Sequence, residues 1–176
     1  LFMDACLMGM LEDAYQFRGQ AGVYVASEGV TWSSMRSNSH HDYFYTVSAD
    51  TTAAQMGQMI VDGYANWMES RLSGYYYTLS AVDMSALGDV VTATNNLAAS
   101  LDDGMATYGA QIQASRNATI HYWWTAYIDL VDFADNIYAN ISDSVIRADA
   151  QAVNAAVSGY VLAERHSTSY SRSHGV

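Results

Sequence analysis

Two short apolar runs, residues 1–5 and Val23-Tyr24-Val25-Ala26, bracket a stretch from residue 7 to 17 in which Leu7, Met10, Leu11 and Ala14 share one helical stripe. Gly19 and Gly22 end that stripe. Strand, helix and strand packed into 26 residues predict a βαβ unit, whose two strands run parallel with a right-handed crossover.

The alternation continues downstream. Thr52-Ala53-Ala54-Gln55 has the form of a capping box. Met56, Met59, Ile60, Tyr64, Trp67, Met68 and Leu72 then recur at helical spacing and read as a core-facing stripe. Residues 75–82 read as a strand, after which Asp83 or Ser85 caps a helix carrying Leu87, Val90, Val91, Leu97 and Leu101. Asp102-Asp103-Gly104 is expected to break it. Helical patterns return at 126–138 and 143–157, and a last strand is expected at 160–163. With no internal repeat, the pattern predicts a single α/β domain over residues 1–176 on a mainly parallel sheet flanked by helices.

Charge narrows the function. Eighteen acidic against seven basic residues leave a net charge of -11, opposite to what a nucleic-acid partner requires. No apolar run approaches the ~20 residues that span a bilayer. The basic residues are all Arg, and Pro is absent; no physical account of that bias follows from the sequence. The apolar start at Leu1 and the abrupt end at Val176 read as the edges of a fragment of something longer. Asn117-Ala118-Thr119 and Asn140-Ile141-Ser142 match glycosylation sequons and favour an extracellular or cell-surface location.

Cys6 is the one cysteine, so the chain holds no internal disulfide. A lone cysteine is either a buried small hydrophobe or a reactive thiol. In open α/β sheets sites lie beyond the C-terminal strand ends, where Cys6 is expected directly before a helix whose N-terminus would favour a thiolate. A nucleophilic cysteine needs a base, usually histidine. The histidines are His40, His41, His121, His166 and His174. Adjacent His40 and His41 lack metal-ligand spacing. None of the five has a context that marks it as the base.

The stretch Asp4-Ala5-Cys6-Leu7-Met8-Gly9-Met10-Leu11-Glu12-Asp13-Ala14-Tyr15, followed by Tyr24-Val25-Ala26-Ser27-Glu28, resembles the nucleophile region of the clostripain family, of the caspase, gingipain and legumain clan. Thr78-Leu79-Ser80-Ala81-Val82-Asp83, the segment Tyr127-Ile128-Asp129-Leu130-Val131-Asp132-Phe133 and the closing His174-Gly175-Val176 are similar as well. The resemblance implies a caspase-like α/β sandwich and a cysteine endopeptidase working by a Cys–His dyad. Cys6 is then the nucleophile, and the histidine lies upstream, on a segment or chain of the same protein that is a partner of this one. It implies cleavage of polypeptides after Arg or Lys, with Asp4, Glu28, Thr31 and Trp32 as substrate-binding residues. The loop after Glu28 reads Gly29-Val30-Thr31-Trp32-Ser33-Ser34, without the second carboxylate and the proline common among relatives. No cofactor is required by this chemistry. Calcium enters by the resemblance alone, with no Asp-rich calcium loop in view. The alternative is a caspase-like module, catalytically inactive, serving a structural or surface-assembly role.

Overall fold

The computed structural model describes residues 1–33 and 46–176. Its elements are α1 (Leu11–Gln16), β1 (Val23–Ala26), α2 (Ala53–Arg71), β2 (Thr78–Asp83), α3 (Leu87–Ala118), α4 (Leu130–Asn140), α5 (Ser144–Tyr160), β3 (Val161–His166) and a 3₁₀ turn, Thr168–Tyr170. His40, His41 and the Tyr43-Phe44-Tyr45 cluster lie outside the described residues.

The three strands form one sheet in the order β1-β2-β3. Both pairings are antiparallel, with Ala26 opposite Ser80 and Ser80 opposite Glu164. This corrects the expected mainly parallel sheet. Long connections through helices permit either strand direction, whereas only short ones force a choice, so alternation with helices did not fix it. Parallel character survives in one place. Leu1 to Met3 lies alongside β1, with Val25 N–H donating to Leu1 O at 2.8 Å and Met3 N–H to Val25 O at 2.9 Å. It amounts to a single parallel bridge, Phe2 to Val25.

Helices cover both faces of the sheet. Helix α2 packs Ile60, Val61, Tyr64, Ala65 and Met68 onto Val25, Leu79, Ala81 and Ala163. Helices α3, α4 and α5 bring Val90, Leu97, Ile137, Ile146, Val153 and Val157 against Tyr24, Ala26 and Val82. Strand β2, in the middle, is buried from Thr78 to Val82, as a strand covered on both faces must be.

Local signals set several boundaries. Thr52 caps α2 through Gln55 N–H, and the Gln55 side chain returns the bond to Thr52 N–H, completing the expected capping box. Asp143 caps α5 by accepting from the N–H groups of Val145 and Ile146. Tyr160 closes α5 rather than opening a strand, and β3 follows without a loop. Asp83 accepts from the backbone and hydroxyl of Ser85, but α3 starts from Ala86 without a side-chain cap.

The expected break at Asp102-Asp103-Gly104 does not occur: α3 is continuous over 32 residues. Gly104 instead lets α5 approach, since a Cβ there would stand 2.9 Å from Ile146 Cδ1. Packing along α4 and α5 overrides the helix-breaking tendency of one glycine, roughly 1 kcal/mol.

Gly57 has the same use in α2, where a Cβ would lie 3.0 Å from Ala81 Cβ and 3.2 Å from Val23 Cγ1. Gly57→Leu is expected to lift α2 from the sheet and cost about 1–3 kcal/mol, read as a lower urea midpoint at unchanged slope.

Candidate functional site

The site begins where the N-terminal segment leaves β1. The chain overshoots the strand end, turns, and doubles back along residues 27–31. Thr31 N–H donates to Cys6 Sγ at 3.3 Å, Leu7 N–H to Gly29 O at 2.9 Å and Gly9 N–H to Ser27 O at 2.8 Å. Cys6 stands at the tip of this turn and is exposed. The reversal requires Leu7 to take φ 61°, a left-handed conformation unusual outside glycine. Residues held there by their surroundings cluster at functional sites.

Helix α1 starts only at Leu11 and has six residues, with Met10 at its N-cap and no side-chain capping bond. Cys6 therefore does not sit on a helix N-terminus, and neither does Asp4 cap one, which corrects the expectation that a helix begins at residue 7. The thiol is positioned by the opposing strand-like segment instead. Thr31 adds a side-chain bond, its hydroxyl donating to Ala5 O at 3.1 Å.

Segment 27–31 is in turn fixed from beneath. Gly29 N–H reaches Thr78 Oγ1 at 3.1 Å and Ser27 Oγ at 3.2 Å, and the two hydroxyls lie 3.1 Å apart. Trp32 is held by both nitrogens. Its backbone N–H donates to Tyr64 Oη at 2.9 Å, and its indole Nε1–H to Tyr76 O at 2.8 Å. Its ring packs edge-on against Tyr75, centroids 4.9 Å apart.

Three of the five expected site residues, Asp4, Cys6 and Trp32, meet Tyr64, and Thr31 joins them through its bonds to Cys6 and Ala5. Burial pushes the Tyr64 hydroxyl well above the ordinary tyrosine range, and nearby Cys6 and Asp4 push it in the same direction. Tyr64 thus stays a neutral donor-acceptor under the loop. Its position in the apolar stripe of α2 marked it as core, and nothing in the sequence pattern separates its hydroxyl from that role.

Glu28, the fifth, is wholly buried and faces Ser80, whose hydroxyl donates to its Oε1 at 2.8 Å. Its Oε2 is buried without a hydrogen-bond partner among the described residues. Burial pushes the carboxyl up to about 7, against the hydroxyls of Thr78 and Ser80, with Glu164 adding a further push upward.

Among the described histidines, His166 and His174 have partners away from Cys6. His166 Nδ1 lies 2.7 Å from Glu164 Oε1. His174 Nδ1 lies 3.0 Å from the buried Asp129, whose carboxylate raises the His174 pKa. His121 opens a hairpin, bridging to Ile128. The hydrogen bonds of Cys6 Sγ among the described residues run to the backbone of Thr31. Among those residues no group of three or more His, Cys, Asp or Glu side chains converges to hold a metal, so no calcium step is assigned to them. A cavity of about 660 Å³ between α2 and β3, lined by Asp50, Gln55, Met59 and Leu162, lies apart from these residues and carries no convergent chemistry.

The exposed thiol sits on a strained turn beside a three-layer α/β core, and the solved structures that share this fold are described as cysteine proteases. Residues 1–174 match the sequence profile of the clostripain family, and the chain belongs to that family. It superposes on a clostripain from Bacteroides thetaiotaomicron in complex with a peptide inhibitor, with TM-score 0.58, 13% identity and 95% of the chain covered. A cysteine protease of B. fragilis gives TM-score 0.58 at 16% identity over 95% of the chain. A secreted C11 cysteine protease from B. thetaiotaomicron gives 0.62 at 14% identity over 93%. The chain spans 67% of the first two structures and 42% of the third. No curated protein matches the sequence.

Gly9 is the tightest point of the site, since a Cβ there would stand 2.6 Å from Glu28 N and 2.7 Å from Ser27 C. Gly9→Ala is expected to part the two segments, costing about 1–3 kcal/mol in chemical denaturation. Alkylation of Cys6, followed by the mass of its peptide, should change by more in this variant than in Gly88→Ala, where a Cβ meets nothing.

Proposed function

We propose that this chain is the nucleophile-bearing part of a cysteine endopeptidase, and that Cys6 is the nucleophile. The observation that carries this is Cys6 itself: the exposed tip of a backbone-clamped, left-handed turn in a chain of the clostripain family. The Cys6 thiolate attacks the peptide carbonyl and backbone N–H groups hold the oxyanion. The base is a histidine of the upstream part of the protein, on a segment or chain that docks beside Cys6. As imidazolium it returns the proton to the leaving amine when the C–N bond breaks, and water then hydrolyses the thioester. His166 and His174, held by Glu164 and Asp129, support a base from elsewhere.

The substrate is a polypeptide cut after Arg or Lys. Asp4 is exposed two residues before the nucleophile, and its charge is felt at Tyr64. Thr31 and Trp32 form the opposite wall. The excess of acidic residues favours a cationic partner and opposes nucleic acid. An extracellular or surface location is favoured by the description of one structural relative as secreted. No helix among the described residues is long and apolar enough to cross a membrane.

In the full-length protein, Cys6→Ala should abolish hydrolysis of peptidyl-arginine and peptidyl-lysine substrates. Asp4→Asn should lower kcat/KM on those substrates by at least roughly ten-fold, the scale of losing one charge-assisted contact, and leave neutral substrates unchanged. Residual turnover in Cys6→Ala would remove Cys6 as the nucleophile, and absence of turnover in the wild-type protein would return the chain to an inactive structural module. Equal loss on basic and neutral substrates would remove Asp4 from the specificity pocket.

A further inference from the structure

Behind the Cys6 turn lies a buried polar layer that the reaction scheme leaves unused. It occupies the face of the sheet toward α4, α5 and the C-terminal segment. Ser80 and Glu164 stand side by side on β2 and β3, and Glu28 reaches Ser80 from the segment after β1. Gly175, at φ 85°, lies across both, since a Cβ there would stand 2.9 Å from Glu164 Cγ and from Ser80 Cβ. Asp129 accepts from the Tyr122 hydroxyl at 3.0 Å and from His174 N–H at 2.7 Å.

The charges in this layer do not cancel. Glu28, Glu164 and Asp129 are three carboxyls facing two imidazoles, His166 and His174. Both imidazoles are committed, His166 to Glu164 and His174 to Asp129. Tyr122 and Tyr160 also face Glu28, which helps hold both hydroxyls above their ordinary range, behind burial as the main cause. Among the described residues nothing cationic faces Glu28, and its Oε2 has no hydrogen-bond partner. An ionised carboxylate so placed is strongly disfavoured, whereas a carboxylic acid keeps the Ser80 bond and leaves no charge unpaired.

We propose that Glu28 is a positioning residue for the nucleophile: its un-ionised carboxyl seats segment 27–31 against β2, and that segment holds Cys6. The linkage is one of backbone. Residues 27, 29 and 31, on either side of Glu28, make the bonds to Gly9, Leu7 and Cys6. Charging Glu28 drives its carboxyl to seek water, and the only covalent path for that movement is the segment that clamps the thiol. The reading rests on Cys6 being the nucleophile, but its test does not.

The pH dependence has a definite sign. A carboxyl held above its unfolded value binds its proton more tightly when folded, so its contribution to stability is complete below about pH 4.5 and is lost as pH rises through about 7. His174, also raised, loses its own contribution as pH rises, so the comparison must isolate Glu28.

The experiment uses the full-length protein as wild type, Glu28→Gln and Ser80→Ala. Urea unfolding from pH 5 to 9 should weaken the wild-type folding equilibrium on the order of a hundred-fold more than that of Glu28→Gln. The rate of Cys6 alkylation by iodoacetamide, read on the Cys6 peptide, should be the same in both proteins below pH 6. Above pH 8 the two should differ by about two- to ten-fold, the worth of one hydrogen bond to the thiol. Ser80→Ala removes a donor that favours the charged form, so it should move the wild-type transition to higher pH. A rate ratio independent of pH overturns the proposal. Should Glu28→Gln not fold, an unmoved transition in Ser80→Ala overturns it equally. A clear transition without peptide hydrolysis leaves the positioning role standing and removes the peptidase reading.

Discussion

The site depends on one constraint, the contact of two backbone segments with no side chain between them. Gly9 rests on the peptide linking Ser27 and Glu28 at a separation that no Cβ could share. With that contact made, the hydrogen bonds from Gly9, Leu7 and Thr31 fall into register and carry Cys6 outward. The Leu7 conformation follows, because the chain must reverse within about four residues to return toward α1. Tyr24 secures the inner end of the reversal, its hydroxyl donating to Met8 O at 2.6 Å. A nucleophile held this way owes its orientation to main-chain bonds, which are less easily lost by mutation than a side-chain network.

How much of this was legible in the sequence varied with the range of the interaction responsible. Helix α2 was readable because its capping box and apolar stripe are local and agree. Strand β2 was readable within residues 75–82, where Leu79, Ala81 and Val82 stand among β-favouring tyrosines and Thr78. Strand direction was not, since it depends on how helices of 17 and 32 residues pack between strands. The continuity of α3 through Gly104 was hidden for the same reason: the partner that needs the glycine, Ile146, lies more than forty positions away. At the site, Asp4, Cys6, Thr31 and Trp32 were found as a group through family resemblance, while Tyr64 could only be found in three dimensions.

The two acidic residues nearest the nucleophile show why residue type alone does not assign a role. Asp4 and Glu28 were both expected at the substrate. Asp4 is exposed, two residues before Cys6. Glu28 is one residue from the loop yet points inward, because residues alternate sides along an extended segment and its neighbours Ser27 and Gly29 take the bonds to Thr78. A carboxyl on that side cannot read a substrate. It is placed to sense protonation, and what it moves is the strip of backbone on which the thiol rests.

That arrangement also explains the composition of the C-terminal segment. The polar layer needs a cover that brings few side-chain atoms and several donors. Ser173 supplies a hydroxyl 2.8 Å from Tyr122, His174 supplies both its N–H and its ring to Asp129, and Gly175 passes over Ser80 and Glu164 where a side chain would collide. Val176 then re-enters the apolar core, and its carbonyl accepts from Leu130 N–H at 2.9 Å at the start of α4. The final residues thus close the interior from the face opposite α2, and through Ser80 they bear on the same carboxyl that supports the nucleophile turn. Two side chains, Ser80 and Glu28, stand between the C-terminal segment and the strip of backbone that holds Cys6.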